Sequence, residues 1–454
     1  MKFVSLERGK VKMYTCGPTV YDFAHIGNFR TFVFQDLLRR WLEYRGYQVT
    51  QVMNLTDVDD RTIAASSKRG VPLNVHTRQY IDAFFQHKRR LNIEQAEYYP
   101  RATEHINEMV DFVKRLMEKG YAYKAEDGSI YYDISKFKDY GKLSRMKLKE
   151  LKMGARVKVD TYTKEQAQDF ALWKAWDEND GDVFWETEIG KGRPGWHLEC
   201  SVMSMKYLGE TLDIHSGGVD LIFPHHENEI AQSEAVTGKK FVGCWMHAEF
   251  LLVEGERMAK SLGNYHTLQD LLDKGYDAIA VRYLLMSTHY RQQLNFTFEG
   301  LKAAQSAVER LRIFLRRLSE VDGRPAGEEL ENLMKAAGKD FETALDDDLS
   351  ITKALAAIFD FTRDANKMID QGKVSRKEAR AVHDLMIRFD RVLAIIGENK
   401  EESLSKEVEK LIQKREAARK AKDWQTADDI RKQLYEMGII LEDTTTGLRW
   451  RKKS

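Results

Sequence analysis

The chain has few cysteines and no long apolar segment. Its first ten residues lack the apolar core of a secretion signal, and no stretch approaches the ~20 apolar residues that a transmembrane helix needs. The three cysteines, at positions 16, 200 and 244, are too few for a disulfide framework. They favour thiols kept for metal binding or chemistry in a reducing compartment. We therefore expect a cytoplasmic protein that does not act at a membrane.

An excess of charge of one sign is also absent from the chain as a whole. The net charge of +1 gives no indication of a polyanionic partner, although the sequence from about Lys410 onward is rich in Lys and Arg and has to be judged locally. Internal repeats and low-complexity tracts are lacking too. With 454 residues, 43% hydrophobic and 31% charged, the chain is typical of an ordinary soluble protein of about three domains.

The first fifty residues follow a strand–helix–strand pattern. Val11 to Thr15 is predicted to be a short buried strand that leads into a turn at Cys16, and Gln48 to Met53 is predicted to be a second strand. Gly46 is placed to end a helix whose apolar residues recur at helical spacing: Phe34, Leu37, Leu38, Trp41 and Leu42. This unit predicts a parallel sheet with helices on its faces.

The middle of the chain predicts an insertion of mixed structure. Thr103 is expected to cap a helix that continues to Gly120. Tyr121 to Tyr132 is expected to form a hairpin around an Asp-Gly pair at 127 and 128. Many aromatic residues follow up to about residue 190, and the α/β pattern resumes near Gly195.

The C-terminal part is predicted to be helical from about Asp277 to residue 397, with a loop at 321–327. A charged linker at 399–406 precedes two basic helices, a short strand at Ile439 to Leu441 and a tail that begins at Gly447. The cations of these helices fit either a solvated helix face or a surface that binds RNA: Lys414, Arg415, Arg419, Lys420, Lys422, Arg431 and Lys432.

Four residues form a candidate metal site. His225 and Glu229 are four residues apart and share one face of a helix if the segment is helical. Together with Cys16 and Cys200 they offer two sulfurs, a nitrogen and an oxygen, a set that suits zinc. A carboxylate ligand favours a functional role, because structural zinc usually takes Cys and His alone. The residues alone leave open that the cysteines are small core residues and that His225 only begins a helix.

Two segments are candidates for binding phosphate. His25 to Asn28 directly precedes a helix, where free N–H groups and the helix dipole favour anions. Far downstream, the loop at 255–264 carries Arg257 and Lys260 between glycines and is able to stabilise charge on a leaving pyrophosphate. Each segment alone fits a plain turn or an exposed charged loop, but the two in this order are more specific.

Four motifs in one order make the chain similar to a known family. They are Cys16–Asp22 followed by His25–Asn28, Asn54–Asp60, Arg193–Cys200 and Gly217–Glu229. Over nearly its whole length the chain resembles the cysteinyl-tRNA synthetases, which are class I aminoacyl-tRNA synthetases. Residues 441–444 and Trp450 also resemble the tail of that family on the anticodon side.

The resemblance implies roles for the matching positions. The metal ligands would be Cys16, Cys200, His225 and Glu229. The cysteine pocket would be lined by Gly17, Thr56, Trp196 and Asp220, with Asp220 near the substrate ammonium. ATP would be bound by His25, Gly27, Asn28, Arg257, Lys260 and Ser261, of which His25, Asn28 and Lys260 would be catalytic.

The resemblance also implies a fold and a division into domains. We expect an α/β protein with a Rossmann-like parallel-sheet catalytic domain, an inserted connective domain, a helical bundle and a small C-terminal α/β unit. The catalytic domain would take residues 1–105 and 191–265, on either side of the insertion at 106–190. A stem-contact region at 266–320, a tRNA-binding bundle at 321–398 and an anticodon-side unit at 399–454 would follow.

The implied reaction has two steps. ATP would activate L-cysteine to cysteinyl adenylate, and the cysteinyl group would then move to the 3′ end of the tRNA specific for cysteine. One Zn²⁺ would select the substrate thiolate, and Mg²⁺ would accompany ATP. The chain departs from the family pattern at Asn28, which replaces a His, and at Arg257 and Ala259, which replace a Lys and a Ser. Ala259 loses a hydroxyl, and Arg257 keeps the charge in a different geometry.

Two other functions remain open at this point. A ligase that joins cysteine to an amino sugar uses the same catalytic core but needs no anticodon-binding tail. A catalytically silent tRNA-binding protein would fit the altered loop at 257–261. Cysteine-dependent exchange between ATP and pyrophosphate, followed by cysteine transfer to tRNA, separates the three.

Overall fold

The structure, a computed structural model, divides the chain into two compact units, Met1–Ile396 and Gly397–Ser454. The residues that it describes are 3–145, 156–157, 168–396, 406–420, 423–437, 439–444 and 447–452. All of the predicted linker except Lys406 lies outside the described residues.

Helices and strands alternate in the first half of the chain, and helices dominate the second half. The helices are α1 (Ile26–Tyr44), α2 (Asp60–Arg69), α3 (Leu73–Arg90), α4 (Ile106–Glu118), α5 (Trp196–Leu208), α6 (Glu227–Thr237), α7 (Leu268–Asp273), α8 (Ala278–Met286), α9 (Phe298–Leu318), α10 (Glu328–Asp346), α11 (Ile351–Asp370), α12 (Arg376–Leu393), α13 (Lys406–Lys420) and α14 (Trp424–Glu436). The strands are β1 (Lys10–Thr15), β2 (Gln48–Met53), β3 (Ala122–Lys124), β4 (Ile130–Tyr132), β5 (Arg156–Val157), β6 (Asp169–Ala175), β7 (Trp185–Thr187), β8 (Gly190–Pro194), β9 (Leu212–Gly218), β10 (Val242–Ala248), β11 (Leu251–Val253), β12 (Glu256–Arg257), β13 (Leu294–Phe296), β14 (Ile439–Thr444) and β15 (Gly447–Lys452).

A four-stranded parallel sheet forms the centre of the first unit, in the order β10-β9-β1-β2. In the inner strand β1, Tyr14 lies opposite Val52 of β2 on one side and His215 of β9 on the other. The predicted strand–helix–strand unit is confirmed, since α1 connects the parallel strands β1 and β2. Strands β9 and β10 come from the chain after the insertion, so the sheet joins two distant segments.

Helix α1 buries the apolar face that the spacing predicts. Its five apolar positions are buried: Phe34, Leu37, Leu38, Trp41 and Leu42. The helix ends at Tyr44, and Gly46 takes the left-handed conformation, with φ at +87°, that turns the chain toward β2. The packing of this face against the sheet and the later helices therefore anchors the helix N-terminus, where the candidate phosphate site lies.

The inserted segment forms a second sheet, in the order β3-β4-β6-β8-β7, with β5 paired to β6. The predicted hairpin is confirmed by the antiparallel pairing of β3 with β4. The prediction that Thr103 caps the next helix is wrong, because α4 begins only after His105. Thr103 lies in a single 3₁₀ turn, and its hydroxyl donates to the Asp57 carboxylate at 2.7 Å.

The stretch predicted to be helical from Asp277 to residue 397 also contains a strand, so the prediction is wrong there. In β13, buried Leu294 and Phe296 flank exposed Asn295, and the strand pairs in parallel with β11. Such pairing depends on a partner some forty residues away in the chain, which helical periodicity does not reveal. The predicted loop at 321–327 is confirmed between α9 and α10.

The second unit contains α13 and α14 and an antiparallel hairpin of β14 and β15. The two helices are confirmed, and Val408 and Leu434 are buried between them. The strand predicted at Ile439 extends to Thr444, and the segment predicted as a tail is strand β15. Arg415 is buried, so it is not part of an exposed basic face. Among the helices described in either unit, none has both the length and the apolar character required to cross a bilayer.

A buried ion pair connects α1 to α8. The guanidinium of Arg282 donates to the carboxylate of Asp36 at 2.5 Å and to the carbonyl oxygens of Leu91 and Leu393. Burial raises the pKa of Asp36, but the positive charges of Arg282 and Arg40 outweigh it and hold this pKa below its ordinary value. The pair therefore links α1, the helix between β1 and β2, to α8 and to the end of α12.

We predict that Asp36→Asn lowers the free energy of unfolding by about 3–5 kcal/mol, because it leaves a buried guanidinium without a charged partner. The measurement is urea unfolding followed by circular dichroism, in which the midpoint of the first unfolding transition is compared between variants. Asp360→Asn is the matched control, since Asp360 forms an exposed pair with Arg363 on α11 and its loss should hardly move the midpoint. Equal shifts in the two variants would contradict the prediction.

Candidate active site and metal centre

A cavity of about 610 Å³ lies at the carboxyl edge of the parallel sheet. Its wall includes the residue at or just after the end of each strand: Cys16 after β1, Asn54 after β2, Gly218 in β9 and Ala248 in β10. Parallel strands bring their carboxyl ends to one edge, and open α/β sheets bind ligands there. The fold therefore gathers the motifs that the sequence keeps far apart.

The four predicted metal ligands form one cluster, and three of them line this cavity: Cys16, Cys200 and His225. One ligand atom from each of Cys16, Cys200, His225 and Glu229 lies within 4.8 Å of all the others, and all four residues are buried. Cys16 follows β1, and Cys200 lies on α5. His225 lies in the turn before α6, and Glu229 lies in the first turn of that helix. A backbone bond from the Cys16 N–H to the carbonyl oxygen of Ser216, at 3.0 Å, fixes the first ligand against β9.

Burial opposes charge on all four side chains. It raises the pKa of the Cys16 and Cys200 thiols and raises the pKa of Glu229 to about 8. It lowers the pKa of His225 to about 4. A buried cluster of this kind binds either protons or a cation. Its two sulfurs, one imidazole and one carboxylate fit a divalent metal of borderline softness.

Further buried histidines surround the cluster, and the sequence analysis missed them. His215 Nε2 lies 2.9 Å from Glu229 Oε2, and His226 Nε2 lies 3.3 Å from Cys16 Sγ. His197 Nδ1 lies 3.0 Å from His225 Nδ1. The adjacent residues His225 and His226 were the available signal for these histidines. Both lie in a turn beside the candidate metal site, and both side chains face inward.

The histidines create a second possible set of ligands. Cys16, His215, His226 and Glu229 also lie within 4.8 Å of one another and share two members with the first set. We favour the first set, because two thiolates in place of one bind a soft divalent ion better. His215 and His226 are then partners that orient Glu229 and Cys16, as is usual around metal ligands.

The four residues predicted to bind cysteine line the same cavity: Gly17, Thr56, Trp196 and Asp220. The indole of Trp196 stacks on the imidazole of His225 with centroids 4.3 Å apart. Burial raises the pKa of Asp220, although the positive charge of Arg61 partly opposes this rise. The pocket therefore continues directly from the metal cluster.

Gly17 allows the tight approach of two loops at this point. Its N–H donates to the side-chain Oδ1 of Asn54 at 2.9 Å. A Cβ at this position would lie 1.8 Å from the backbone oxygen of Asn54, so no other residue fits without moving the loop. The same Asn54 donates from Nδ2 to the Thr56 hydroxyl at 3.1 Å, which fixes two of the predicted pocket residues together.

The predicted phosphate turn is the N-cap of α1. His25 Nδ1 accepts from the N–H of Asn28 at 3.2 Å, and Asn28 Oδ1 accepts from the N–H of His25 at 3.1 Å. A Cβ on Gly27 would lie 2.9 Å from the His25 ring, so glycine keeps the turn compact. Because Nδ1 is an acceptor, the neutral ring carries its proton on Nε2, where it is a donor.

The downstream loop reaches the cavity only in part. Arg257 lines it, and its guanidinium lies 5.3 Å from the ring centre of Phe250. Lys260 and Ser261 are not among the residues of the wall. Instead, Lys260 is bonded to the carboxylate of Asp22 and lies 5.1 Å from the ring centre of Tyr265. The predicted ATP residues are therefore brought together at His25 to Asn28 and Arg257.

Comparisons with known proteins decide the family. The family described as "tRNA synthetases class I (C) catalytic domain" matches residues 2–306. A cysteine–tRNA ligase of Protochlamydia amoebophila is 51% identical over 447 residues, which cover 98% of this chain and 94% of the relative. The chain belongs to the cysteinyl-tRNA synthetase family. Similar relatives include the enzymes named cysteine–tRNA ligase of Solibacter usitatus, 49% identical over 100% of this chain and 97% of the relative, and of Chlamydia felis, 47% identical over 99% and 95%.

Two further family matches and the solved structures agree with this assignment. A DALR domain matches residues 340–397, and the "Cysteinyl-tRNA ligase anticodon binding domain" matches residues 401–451. Among solved structures, a methionyl-tRNA synthetase of Mycobacterium tuberculosis has a TM-score of 0.61 at 15% identity, covering 85% of this chain and 90% of that chain. A putative arginyl-tRNA synthetase of Campylobacter jejuni has a TM-score of 0.58 at 15% identity, covering 87% and 94%. At these identities the structures support the fold alone, and the predicted synthetase-like α/β fold is confirmed.

In this synthetase, His25 is predicted to stay neutral at physiological pH. Burial and the charge of Lys260 lower its pKa from 6.5 to about 4, against a smaller opposing effect of Asp22. The neutral ring therefore stabilises the fold above pH 6.5, and this contribution is lost as the pH falls through 4. Titration of ring-labelled histidine by NMR, with His25→Gln to assign the resonance, should give a midpoint near 4. A midpoint near 6.5 would contradict the burial.

Proposed function

We propose that the protein activates L-cysteine with ATP and transfers the cysteinyl group to the 3′ end of the tRNA specific for cysteine. Membership of the cysteinyl-tRNA synthetase family supports both steps. One structural observation carries the proposal. A single cavity is lined by two buried thiols and a histidine, which cluster with a buried glutamate, and by the N-cap of a nineteen-residue helix. The first feature suits a sulfur-bearing substrate, and the second suits a phosphate.

We propose zinc as the metal and Cys16, Cys200, His225 and Glu229 as its ligands. When bound, zinc supplies a Lewis acid that holds the substrate sulfur as a thiolate. This chemistry explains how serine is rejected, because serine differs by one atom and its hydroxyl is a poorer zinc ligand at neutral pH. A pocket that relies on shape rejects such near-isosteres by only ~100-fold.

The protein residues have separate tasks in the first step, in which the cysteine carboxylate attacks the α-phosphate and the bond to pyrophosphate breaks. Asp220 binds the substrate ammonium, beside Thr56 and Trp196. His25 donates from Nε2 to a phosphate oxygen, and Gly27 lets the nucleotide approach the turn, which Asn28 caps. This mechanism requires no protein nucleophile, because positioning and charge stabilisation account for catalysis.

The downstream loop stabilises the leaving group. Arg257 and Lys260 neutralise charge on the pyrophosphate together with Mg²⁺, and Ser261 contributes a hydroxyl. Lys260 has to leave Asp22 before it reaches a phosphate. Its side chain is 61% exposed in that pair, so the contact is weak and exchange for a triphosphate costs little.

We propose that the domain division follows from the same reaction. Strands β1 and β2 precede the insertion at 106–190 and β9 and β10 follow it, which supports a split catalytic domain at 1–105 and 191–265. Residues 266–320 would contact the acceptor stem, 321–398 would bind tRNA and 399–454 would form the anticodon-side unit. Lys414, Arg431 and Lys432 are exposed cations suited to RNA phosphates. Free thiols at the site and a tRNA substrate support a cytoplasmic location.

The proposed function is tested by two assays on the full chain loaded with zinc. Cysteine should promote exchange of label between pyrophosphate and ATP, and cysteine should then be transferred to its tRNA but not to an amino sugar. Exchange without transfer to tRNA would favour a cysteine–sugar ligase, against which the anticodon-binding match at 401–451 already argues. No exchange by the fully loaded protein would favour a silent tRNA-binding protein.

We predict that Cys200→Ser loses bound zinc and cysteine selectivity together. Discrimination against serine in the exchange assay should fall toward the ~100-fold that shape provides. Cys244→Ser is the matched control: Cys244 is half-buried on β10 outside the cluster, so its loss should leave zinc content and selectivity unchanged. Unchanged cysteine affinity in a metal-free Cys200→Ser protein would count against the assignment.

A further inference from the structure

Arg61 is a cation on the amino-acid side of the cavity that the reaction described above does not use. It is the second residue of α2, and its side chain lines the cavity. The guanidinium carbon lies 5.2 Å from the ring centre of Tyr21 and 5.8 Å from that of Trp196. Contacts with two aromatic rings restrict the guanidinium at the cavity wall.

The side chain of Arg61 is 46% exposed, so most donors of its guanidinium are left to solvent or to a ligand. Its Nε donates to Asp59 Oδ2 at 3.2 Å, and within the described residues its two Nη groups have no hydrogen-bond partner. Two acidic residues that precede Arg61, Asp57 and Asp59, already have protein partners. Asp59 caps α2 through the Thr62 N–H at 2.7 Å, and Asp57 accepts from Thr103. Arg61, which directly follows the Asn54–Asp60 motif, therefore keeps donors that are able to bind a ligand.

The helix that carries Arg61 is held in place from the inserted sheet. Lys174 Nζ lies 3.0 and 2.9 Å from the two carboxylate oxygens of Asp60, and Arg193 Nη2 lies 2.5 Å from one of them. The side chain of Lys174 is 1% exposed and that of Asp60 is 41% exposed, so this contact is shielded from solvent on one side. A rigid helix start presents the neighbouring guanidinium in one position, which lowers the entropy lost when a ligand binds.

Arg61 and Asp220 are oppositely charged residues of the same cavity. Both line the cavity, and the charge of Arg61 acts on the pKa of Asp220. The ammonium and carboxylate groups of an amino acid share one carbon, so the protein groups that bind them must be neighbours. A guanidinium also presents two parallel N–H donors that match the two oxygens of a carboxylate.

We propose that Arg61 binds the α-carboxylate of cysteine, beside Asp220 at the α-ammonium. The inference rests on the proposed function, because it assigns the substrate's second charged group in the same pocket. Trp196 contacts both Arg61 and the proposed ligand His225, so the carboxylate and the thiol would be bound beside the same indole. Arg61 thus orients the attacking group and lowers its repulsion from the triphosphate.

The test is equilibrium dialysis of the zinc-loaded full chain with cysteine and with cysteamine, which has the thiol and the ammonium but no carboxylate. Arg61→Gln should weaken cysteine binding by about 10–100-fold, as expected for a charged hydrogen bond. It should leave cysteamine binding unchanged. Arg61→Lys should lose part of the affinity, because the charge stays and the fork is lost. Arg69→Gln, on the exposed end of α2, is the matched control and should bind both ligands normally.

Four outcomes would overturn the inference. Equal weakening of both ligands by Arg61→Gln would show that Arg61 only supports the structure of the pocket. An unchanged dissociation constant for cysteine with a lower kcat in exchange would place Arg61 at the phosphate, and an effect only on the KM for tRNA would place it at the tRNA end. If Arg61→Gln does not fold, equal affinity of Arg61→Lys and the native protein for cysteine would overturn it. Absence of cysteine-dependent exchange in the native protein would instead refute the proposed function.

Discussion

Burial of ionisable side chains at the carboxyl edge of the sheet is the constraint on which the active site depends. Cys16, Cys200, His225 and Glu229 come from three distant segments and lie together in a region where burial penalises every charged form. Protons or a cation have to compensate, and the ligand set suits zinc better than protons alone. The parallel pairing of β1 with β9 creates this requirement, because it places Cys16 beside the later segment.

The cavity at this edge of the sheet has to bind two chemically different groups, a sulfur and a phosphate. In the proposed function, the sulfur and nitrogen donors would select the substrate by its softness, and the helix N-cap would bind phosphate by hydrogen bonds. Gly17 and Gly27 keep the two loops close, since a Cβ at either position would collide with Asn54 or His25. Backbone packing and the starts of helices α1 and α6 therefore fix the relative positions of the proposed phosphate turn and the candidate metal cluster.

The local patterns of the sequence predicted the parts of the fold that depend on local interactions. The apolar spacing of α1, the hairpin at 122–132 and the loop at 321–327 are of this kind. Strand β13 and the partner of Thr103 were missed because both depend on long-range contacts, with β11 and with Asp57. The four candidate metal ligands were predicted from residue type and family resemblance, and the structure brings these residues together. The surrounding histidines were not predicted, because single histidines in strands resemble core residues until their neighbours are known.

The central claim is that a zinc ion at the cluster holds the sulfur of the substrate. X-ray absorption at the zinc edge tests it most directly, because the technique counts sulfur atoms around the metal. The account predicts two sulfurs in the free protein, from Cys16 and Cys200, and three after cysteine is added, with no such change on adding serine. A sulfur count that stays at two in the presence of saturating cysteine would contradict the account.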